Sequence, residues 1–150
     1  ETGTAVFLRD APRPPSVRGM TRFQTFDESA DPSHGRERIS RLREALRAVG
    51  ADGFIVPRAD EHQSEYVPPN AERLAWLTGF TGSAGTAVIL ADKAALLVDG
   101  RYTLQVRAQV DAADWSYQSV PETNVTDWLK AEAPAGARIG YDPWLHTGEW

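Results

Sequence analysis

Along the chain, the spacing of apolar residues switches repeatedly between helical and extended periods. Ile39, Leu42, Leu46 and Val49 follow at three, four and three residues, which places them on one stripe of a helix. Asp31-Pro32-Ser33 leads into that helix, with Ser33 as the expected N-cap and Glu37 close behind, and Gly50 ends it. Gly53-Phe54-Ile55-Val56-Pro57 is a short apolar run closed by proline and reads as a buried strand. Residues 71–77 read as a helix stopped by Gly79. Residues 86–90 and 94–98 are apolar runs separated by Ala91-Asp92-Lys93, the pattern of a hairpin. A helix over 100–110, an alternating strand over 115–120, a helix over 124–131 and a strand over 138–141 complete the series. Trp76 and Trp128 fall on apolar helix faces and are expected in the core.

Strands alternating with helices predict an α/β domain, and the hairpin makes its sheet mixed. The stretch up to about Gly19 holds Pro12, Pro14 and Pro15 and follows neither period. It is expected to be a poorly ordered or extraneous extension (1–19), with Met20 as a candidate start and the domain over 20–150. The chain stops at Trp150, just after His146-Thr147-Gly148-Glu149 reads as a fresh helix start, so a cut inside a longer protein is expected.

Composition narrows the function classes. The 150 residues are 41% apolar and 25% charged, ordinary for one globular domain. The absence of cysteine excludes disulfides, thiolate metal sites and a cysteine nucleophile, and fits a reducing, cytoplasmic compartment. No apolar run is long enough to span a membrane. Residues 1–50 hold nine Arg and seven acids (+2), and residues 51–150 hold seven basic residues and fourteen acids (−7), giving the total of −5. That balance argues against nucleic acid as a partner, and Arg36, Arg38, Arg41, Arg43 and Arg47 read as a solvated helix face.

Three polar constellations carry candidate chemistry. Asp60-Glu61-His62-Gln63-Ser64-Glu65-Tyr66 follows the first strand, where α/β sheets tend to bind ligands. Asp60, His62 and Glu65 could form a metal or acid–base site there, or serve as loop-ordering and capping groups. Leu77-Thr78-Gly79-Phe80-Thr81-Gly82-Ser83-Ala84-Gly85-Thr86 is glycine-rich, but it is neither a P-loop nor a dinucleotide fingerprint. Ser83 does not sit in a nucleophile elbow, because Thr81 stands where that motif needs glycine. The alternatives are a tight turn into a buried strand, or a loop lining a partner domain's pocket. In Val98-Asp99-Gly100-Arg101-Tyr102, Asp99 is placed to N-cap the following helix, and Arg101 could hold a carboxylate.

These motifs in this order resemble one family. His62-x-Ser64-Glu65-Tyr66, Arg73, the run Leu77 to Ala87, Asp99-Gly100-Arg101-Tyr102-x-x-Gln105, Trp115, Asp127-Trp128-Leu129 and Gly140-Tyr141-Asp142-Pro143 resemble the N-terminal domain of the aminopeptidase P group, the Xaa-Pro aminopeptidases among the creatinase/prolidase (pita-bread) metallopeptidases. The resemblance covers roughly Phe23 to the end and fits the long, three-domain cytosolic form best. It implies a ribonuclease-H-like mixed sheet flanked by helices, preceding a catalytic domain that binds two divalent ions, usually manganese. That domain removes the N-terminal residue of proline-containing peptides by metal-ion catalysis. Its ligand set has no place here, so no catalytic or metal-binding residue is assigned and the chain alone is expected to be inactive. The resemblance further implies homodimer contacts and a contribution to the substrate-site wall, with the chain's own C-terminal catalytic domain as partner. His62, Ser64, Glu65, Tyr66, Phe80 and Ser83 are the leading candidates for that wall or interface, followed by Arg73, Asp99, Arg101 and Tyr102. The alternative is a peptide- or protein-binding module of a metal-free relative.

Overall fold

The computed structural model describes residues 32–147, so the expected extension over 1–19 and the Met20 start lie outside the described residues. Helix α1 (Gly35–Val49) is entered through a 3-10 turn, Pro32–His34. Ser33 is therefore inside the turn, and the residue before the helix is His34, in helical backbone conformation. The N-cap expected at Ser33 is not there, because the preceding turn already runs into the helix. Gly50 does end α1 in the left-handed region (φ 67°), where its N–H returns to the helix carbonyls. Ile39 and Leu46 of the stripe are buried, but Val49 is 74% exposed. The chain reverses at Gly50 directly after it and leaves this last turn at the rim.

Five strands make one sheet: β1 (Gly53–Pro57), β2 (Gly85–Leu90), β3 (Ala94–Asp99), β4 (Ser116–Val120) and β5 (Ile139–Tyr141). Their spatial order is β4-β3-β2-β1-β5. The hairpin β2–β3 is antiparallel, as is β1 against β2, while β4 and β5 add in parallel at the two edges. The sheet is mixed for the expected reason: a three-residue turn can join only antiparallel neighbours, and the edge strands arrive by crossovers.

Both faces are covered. Helices α1, α2 (Arg73–Thr78) and α3 (Thr103–Gln109) pack on one face against Val56, Ala87, Ile89, Leu96 and Val98. Helix α4 (Val125–Glu132) covers the other, with Trp128 against Ile55, Val88, Leu90 and Leu97. The central strands β2 and β3 are thus buried on both sides, which is why they read as unbroken apolar runs. Trp76 is the exception to the expected core: it is 57% exposed. Helix α2 has six residues, and Leu74, Leu77 and Thr78 take its inward positions at i, i+3 and i+4, so the residue at i+2 faces outward.

Two expected helices begin as tighter turns, Pro69–Ala71 before α2 and Gly100–Tyr102 before α3. A 3-10 turn, Pro143–Leu145, follows β5, and His146 and Thr147 are not helical, while positions 148 and 149 of the expected last helix lie outside the described residues. Of helix α1's arginines, Arg36, Arg41 and Arg47 are exposed, as expected of a solvated face, while Arg36 also pairs with Asp114 at 3.1 Å and Arg43 donates to the Leu90 carbonyl at 2.9 Å.

Candidate functional site

The strand registers bring four connections to one end of the sheet. Pro57 lies opposite Thr86, Gly85 opposite Val98, and Asp99 beside Val120. The loops leaving β1, entering β2, leaving β3 and leaving β4 therefore share an edge. All three constellations of the sequence sit there.

The first, after β1, is organised by Asp60. Its side chain is buried, and one carboxylate oxygen accepts the backbone N–H of His62 at 3.0 Å and of Ser64 at 2.9 Å. Gln63 between them takes a positive φ of 53°. These bonds, led by that from Ser64, hold the Asp60 carboxyl below its ordinary pKa. Asp60 is thus the loop-ordering group, with one carboxylate oxygen turned to the backbone. His62, Ser64, Glu65 and Tyr66 ride on the ordered loop, all exposed. Among the described residues, no group of three or more His, Asp or Glu stands close enough to hold a metal ion. The donor set of the described residues does not fit a dinuclear centre.

A pH dependence follows from Asp60. Because its folded pKa is lowered, it adds stability above the unfolded value of about 3.9, and that stability is lost as pH falls through the folded value. Urea midpoints taken at about pH 6 and about pH 3 are expected to fall further for the native chain than for Asp60→Asn. Equal losses in both proteins would show that the carboxylate does not order the loop.

The second constellation, between α2 and β2, is a turn packed on its own aromatic ring. Gly79 leaves α2 at φ 82°, and Phe80, 1% exposed, drops into the core. The chain then folds over the Phe80 ring so closely that a Cβ at Gly82 would lie 2.2 Å from Cζ. Helix α3 clamps the turn from the side. Gln109 Oε1 accepts the Thr81 N–H at 3.0 Å, and its Nε2 donates to Thr81 Oγ1 at 2.8 Å. Gln105 donates to the same two oxygens at 3.2 Å. Arg58, just past β1, donates to the carbonyls of Glu65 at 3.3 Å and Ser83 at 3.4 Å, tying this turn to the first loop.

The third constellation meets the second. The hydroxyls of Ser83 and Tyr102 are hydrogen-bonded, and the Tyr102 ring stands edge-on to Phe80 with centroids 5.7 Å apart. Asp99 caps the turn into α3, accepting the Arg101 N–H at 3.0 Å, and the same oxygen accepts Arg101 Nε at 2.9 Å. Arg101 also lies over the Tyr102 ring, 5.4 Å from its centroid. The capping N–H and the guanidinium hold Asp99 below the ordinary carboxylate range, and Asp99 in turn raises Arg101. The Ser83 hydrogen bond, with Arg101 adding, lowers the Tyr102 phenol. Ser83 therefore faces a phenol, and a β-strand follows it, so the arrangement lacks the imidazole partner that activates a serine nucleophile.

Beside this cluster, on the α4 face, a cleft of about 650 Å³ opens between Gly85, Thr86, Leu97, Asp99, Val120 and the first turn of α4. It exists because α4 is short and its Trp128 covers only the far half of β2 and β3. Of the expected residues, Phe80, Ser83, Asp99, Arg101 and Tyr102 come into mutual contact, and His62, Ser64, Glu65 and Tyr66 hang on the neighbouring loop. Arg73, the first residue of α2, lines a narrow crevice with Arg58, Phe80 and Thr81 and also borders a groove with Arg38 and Trp76. Arg58 and Gln109 escaped the sequence reading. Gln105 and Gln109, four apart on one helix face, were the available signal.

The chain matches the Creatinase/Prolidase N-terminal domain family over residues 38–150. It is 42% identical to the human Xaa-Pro aminopeptidase 2 over 107 residues, which is 71% of this chain and 16% of that protein. It is 39% identical to aminopeptidase P2 of Arabidopsis thaliana over 118 residues, 75% of this chain and 16% of the relative. The X-prolyl aminopeptidase of Caenorhabditis elegans, described as a cytosolic enzyme with a di-nuclear active site, superposes with a TM-score of 0.72 at 31% identity, covering 77% of this chain and 21% of that one. The isolated N-terminal domain of the cytoplasmic peptidase PepQ of Mycobacterium tuberculosis superposes at 0.55 with 26% identity, over 75% of this chain and 78% of its own. The chain spans about a sixth of the curated relatives' length. With a match that begins in α1 and takes in the sheet, the glycine-rich turn and the Asp99–Tyr102 cap, the chain belongs to the Creatinase/Prolidase N-terminal domain family and is similar to the N-terminal part of Xaa-Pro aminopeptidases.

Proposed function

We propose that the chain is the non-catalytic N-terminal domain of a Xaa-Pro aminopeptidase, and that the loop end of its sheet walls the substrate site. In this reading the longer protein is a cytoplasmic homodimer that removes the residue preceding proline from peptide N-termini. Two divalent ions, manganese by expectation, belong to its catalytic domain. The observation that carries the reading is the convergence of His62–Tyr66, Phe80–Ser83 and Asp99–Tyr102 at one sheet end. A rigid, hydrogen-bonded rim of that kind presents aromatic and charged groups outward while its own backbone is held from behind by Gln109 and Arg58. What this chain can supply is orientation and exclusion of water from a neighbouring centre. Ser83, Tyr102 and Arg101, with His62, Ser64, Glu65 and Tyr66 on the neighbouring loop, are groups on the rim that can hydrogen-bond a peptide.

The test is release of the first residue from an Xaa-Pro-Xaa tripeptide with added manganese. The 150-residue chain is expected to give no release above background, and the longer gene product to turn over. Hydrolysis by the short chain would overturn the assignment of catalysis elsewhere. A longer product that binds the tripeptide without cleaving it would favour the metal-free binding module.

A further inference from the structure

Helix α3 runs beside the glycine-rich turn and touches it along one polar stripe. Tyr102, Gln105 and Gln109 recur at three and four residues, which places them on one face of the segment Gly100 to Gln109. All three reach residues 81–83. Tyr102, at the leading end, is hydrogen-bonded to the Ser83 hydroxyl. Gln109, at the trailing end, holds Thr81 with both atoms of its amide: Oε1 accepts the Thr81 N–H at 3.0 Å and Nε2 donates to Thr81 Oγ1 at 2.8 Å. Gln105, between them, donates to Thr81 Oγ1 and to Gln109 Oε1. Gln109 Oε1 thus accepts from two donors, and a flipped amide would turn its NH2 group on both. Gln105 therefore fixes which way the Gln109 amide points.

This stripe is separate from what anchors the helix. Val106 and Val110, 1% and 5% exposed, fix α3 in the core, and Phe80 fixes the turn. Tyr102, Gln105, Gln109 and Thr81 are only half-buried. The apolar anchors leave one freedom open. Gly82 and Ser83 follow Thr81, and the turn rests on the Phe80 ring. Apolar contact with a ring is non-directional, so it sets how high the turn lies and not where along the ring it stands. Hydrogen bonds are directional, and the Gln109 amide grips Thr81 one residue before Gly82 and two before Ser83. All of these bonds lie inside the domain, so they hold whatever packs outside it.

We propose that Gln109, fixed by Gln105, is a positioning residue for peptide binding. Acting through Thr81, it sets where the Gly82–Ser83 turn stands against Tyr102, and with that the affinity of the wall for the peptide. The inference rests on the substrate-wall reading of this turn and adds the residue that sets the wall's position.

The test is steady-state hydrolysis of the Xaa-Pro-Xaa tripeptide by the longer gene product with added manganese, at a temperature where circular dichroism shows each variant folded. Gln109→Met keeps the side chain's length and removes both polar atoms. It is expected to raise KM by about tenfold and to leave kcat within about twofold, because the wall acts on binding and not on the chemical step. Gln109→Glu, which still accepts the Thr81 and Gln105 N–H groups, is expected to recover most of the native KM. Thr81→Val, which deletes the gripped hydroxyl and leaves the N–H, is expected to raise KM by about threefold and serves where Gln109→Met does not fold. In a Ser83→Ala background, Gln109→Met is expected to raise KM by less than about threefold more, since both act through one turn. A native KM in Gln109→Met, a fall in kcat alone, or effects of Gln109→Met and Ser83→Ala that multiply in full would overturn the proposal. If Ser83→Ala and Arg101→Ala also keep the native KM, or the native product gives no turnover, the substrate-wall reading falls and the proposal with it. Rim variants that raise KM while Gln109→Met does not would overturn the proposal alone.

Discussion

Phe80→Ala is expected to destabilise the domain by about 3–5 kcal/mol and to lower Tm by roughly 10–20 °C. Phe80 is 1% exposed and joins the core to the turn above it. Inward, its ring joins the core with Leu74, Leu77 and Val98. Outward, it is the surface against which Gly82, Gly85 and the edge of Tyr102 rest. Truncation leaves a void that the surrounding sheet cannot fill, since β2 and β3 are held by hydrogen bonds on both sides. The measurement is thermal or urea unfolding followed by far-ultraviolet circular dichroism. A loss below about 1 kcal/mol would show that the turn closes over the cavity and that Phe80 is not its anchor.

Gly82→Ala is expected to cost about 1–3 kcal/mol through overpacking. The three nearest atoms to an added Cβ all belong to the Phe80 ring, at 2.2, 2.9 and 2.9 Å. Unlike the tip of a lysine, this ring is fixed by the core and cannot swing away. The clash therefore has to be relieved by lifting the turn, which pulls Ser83 from Tyr102 and Thr81 from Gln109. A double variant separates this cause from a general intolerance of side chains in the turn. Phe80→Leu shortens the ring side, so Phe80→Leu/Gly82→Ala is expected to be less destabilised than the sum of the two single changes. Additivity would show that the Gly82 requirement lies in the backbone and not in the ring.

Both changes act on the geometry that the proposed function uses. The rim residues Ser83, Tyr102, Arg101 and Asp99 are connected to one another, and the connection passes through the Phe80 ring and the α3 clamp. A substrate wall built this way is stiff because each polar group already has a partner inside the domain. Arg101 illustrates the consequence. Its Nε is committed to Asp99, so the orientation of the guanidinium is set within the domain.

Much of the fold was legible because the strongest sequence signals are local. The hairpin follows from two apolar runs and the short Ala91-Asp92-Lys93 turn between them. The stops at Gly50 and Gly79 follow from the left-handed conformation each glycine adopts. Asp99 could be read as a cap because a cap is a relation between residues two or three apart, and it accepts the Arg101 N–H; Asn124, read only as the start of a helix, caps α4 in the same way. Ser33 failed as a cap for a reason equally local: the turn before α1 is already helical in its backbone. Trp76 was misplaced because the apolar period does not say how long a helix is. In a six-residue helix one inward face is filled by three side chains, and the fourth apolar residue has to face out.

What the sequence determined by itself, then, is the series of elements, the mixed character of the sheet and the family to which the ordered motifs point. Those depend on spacings of a few residues, which chain connectivity carries. Tertiary structure alone decided which motifs meet. Arg58 and Ser83 are 25 residues apart and Thr81 and Gln109 are 28 apart, and they are joined because β1, β2 and β3 end at the same edge. Arg73, from the same set of motifs, stands at the first residue of α2 between two places, a crevice it lines with Arg58, Phe80 and Thr81 and a groove it borders with Arg38 and Trp76. Register and helix rotation are set by how two surfaces bury one another, and no single segment contains that information.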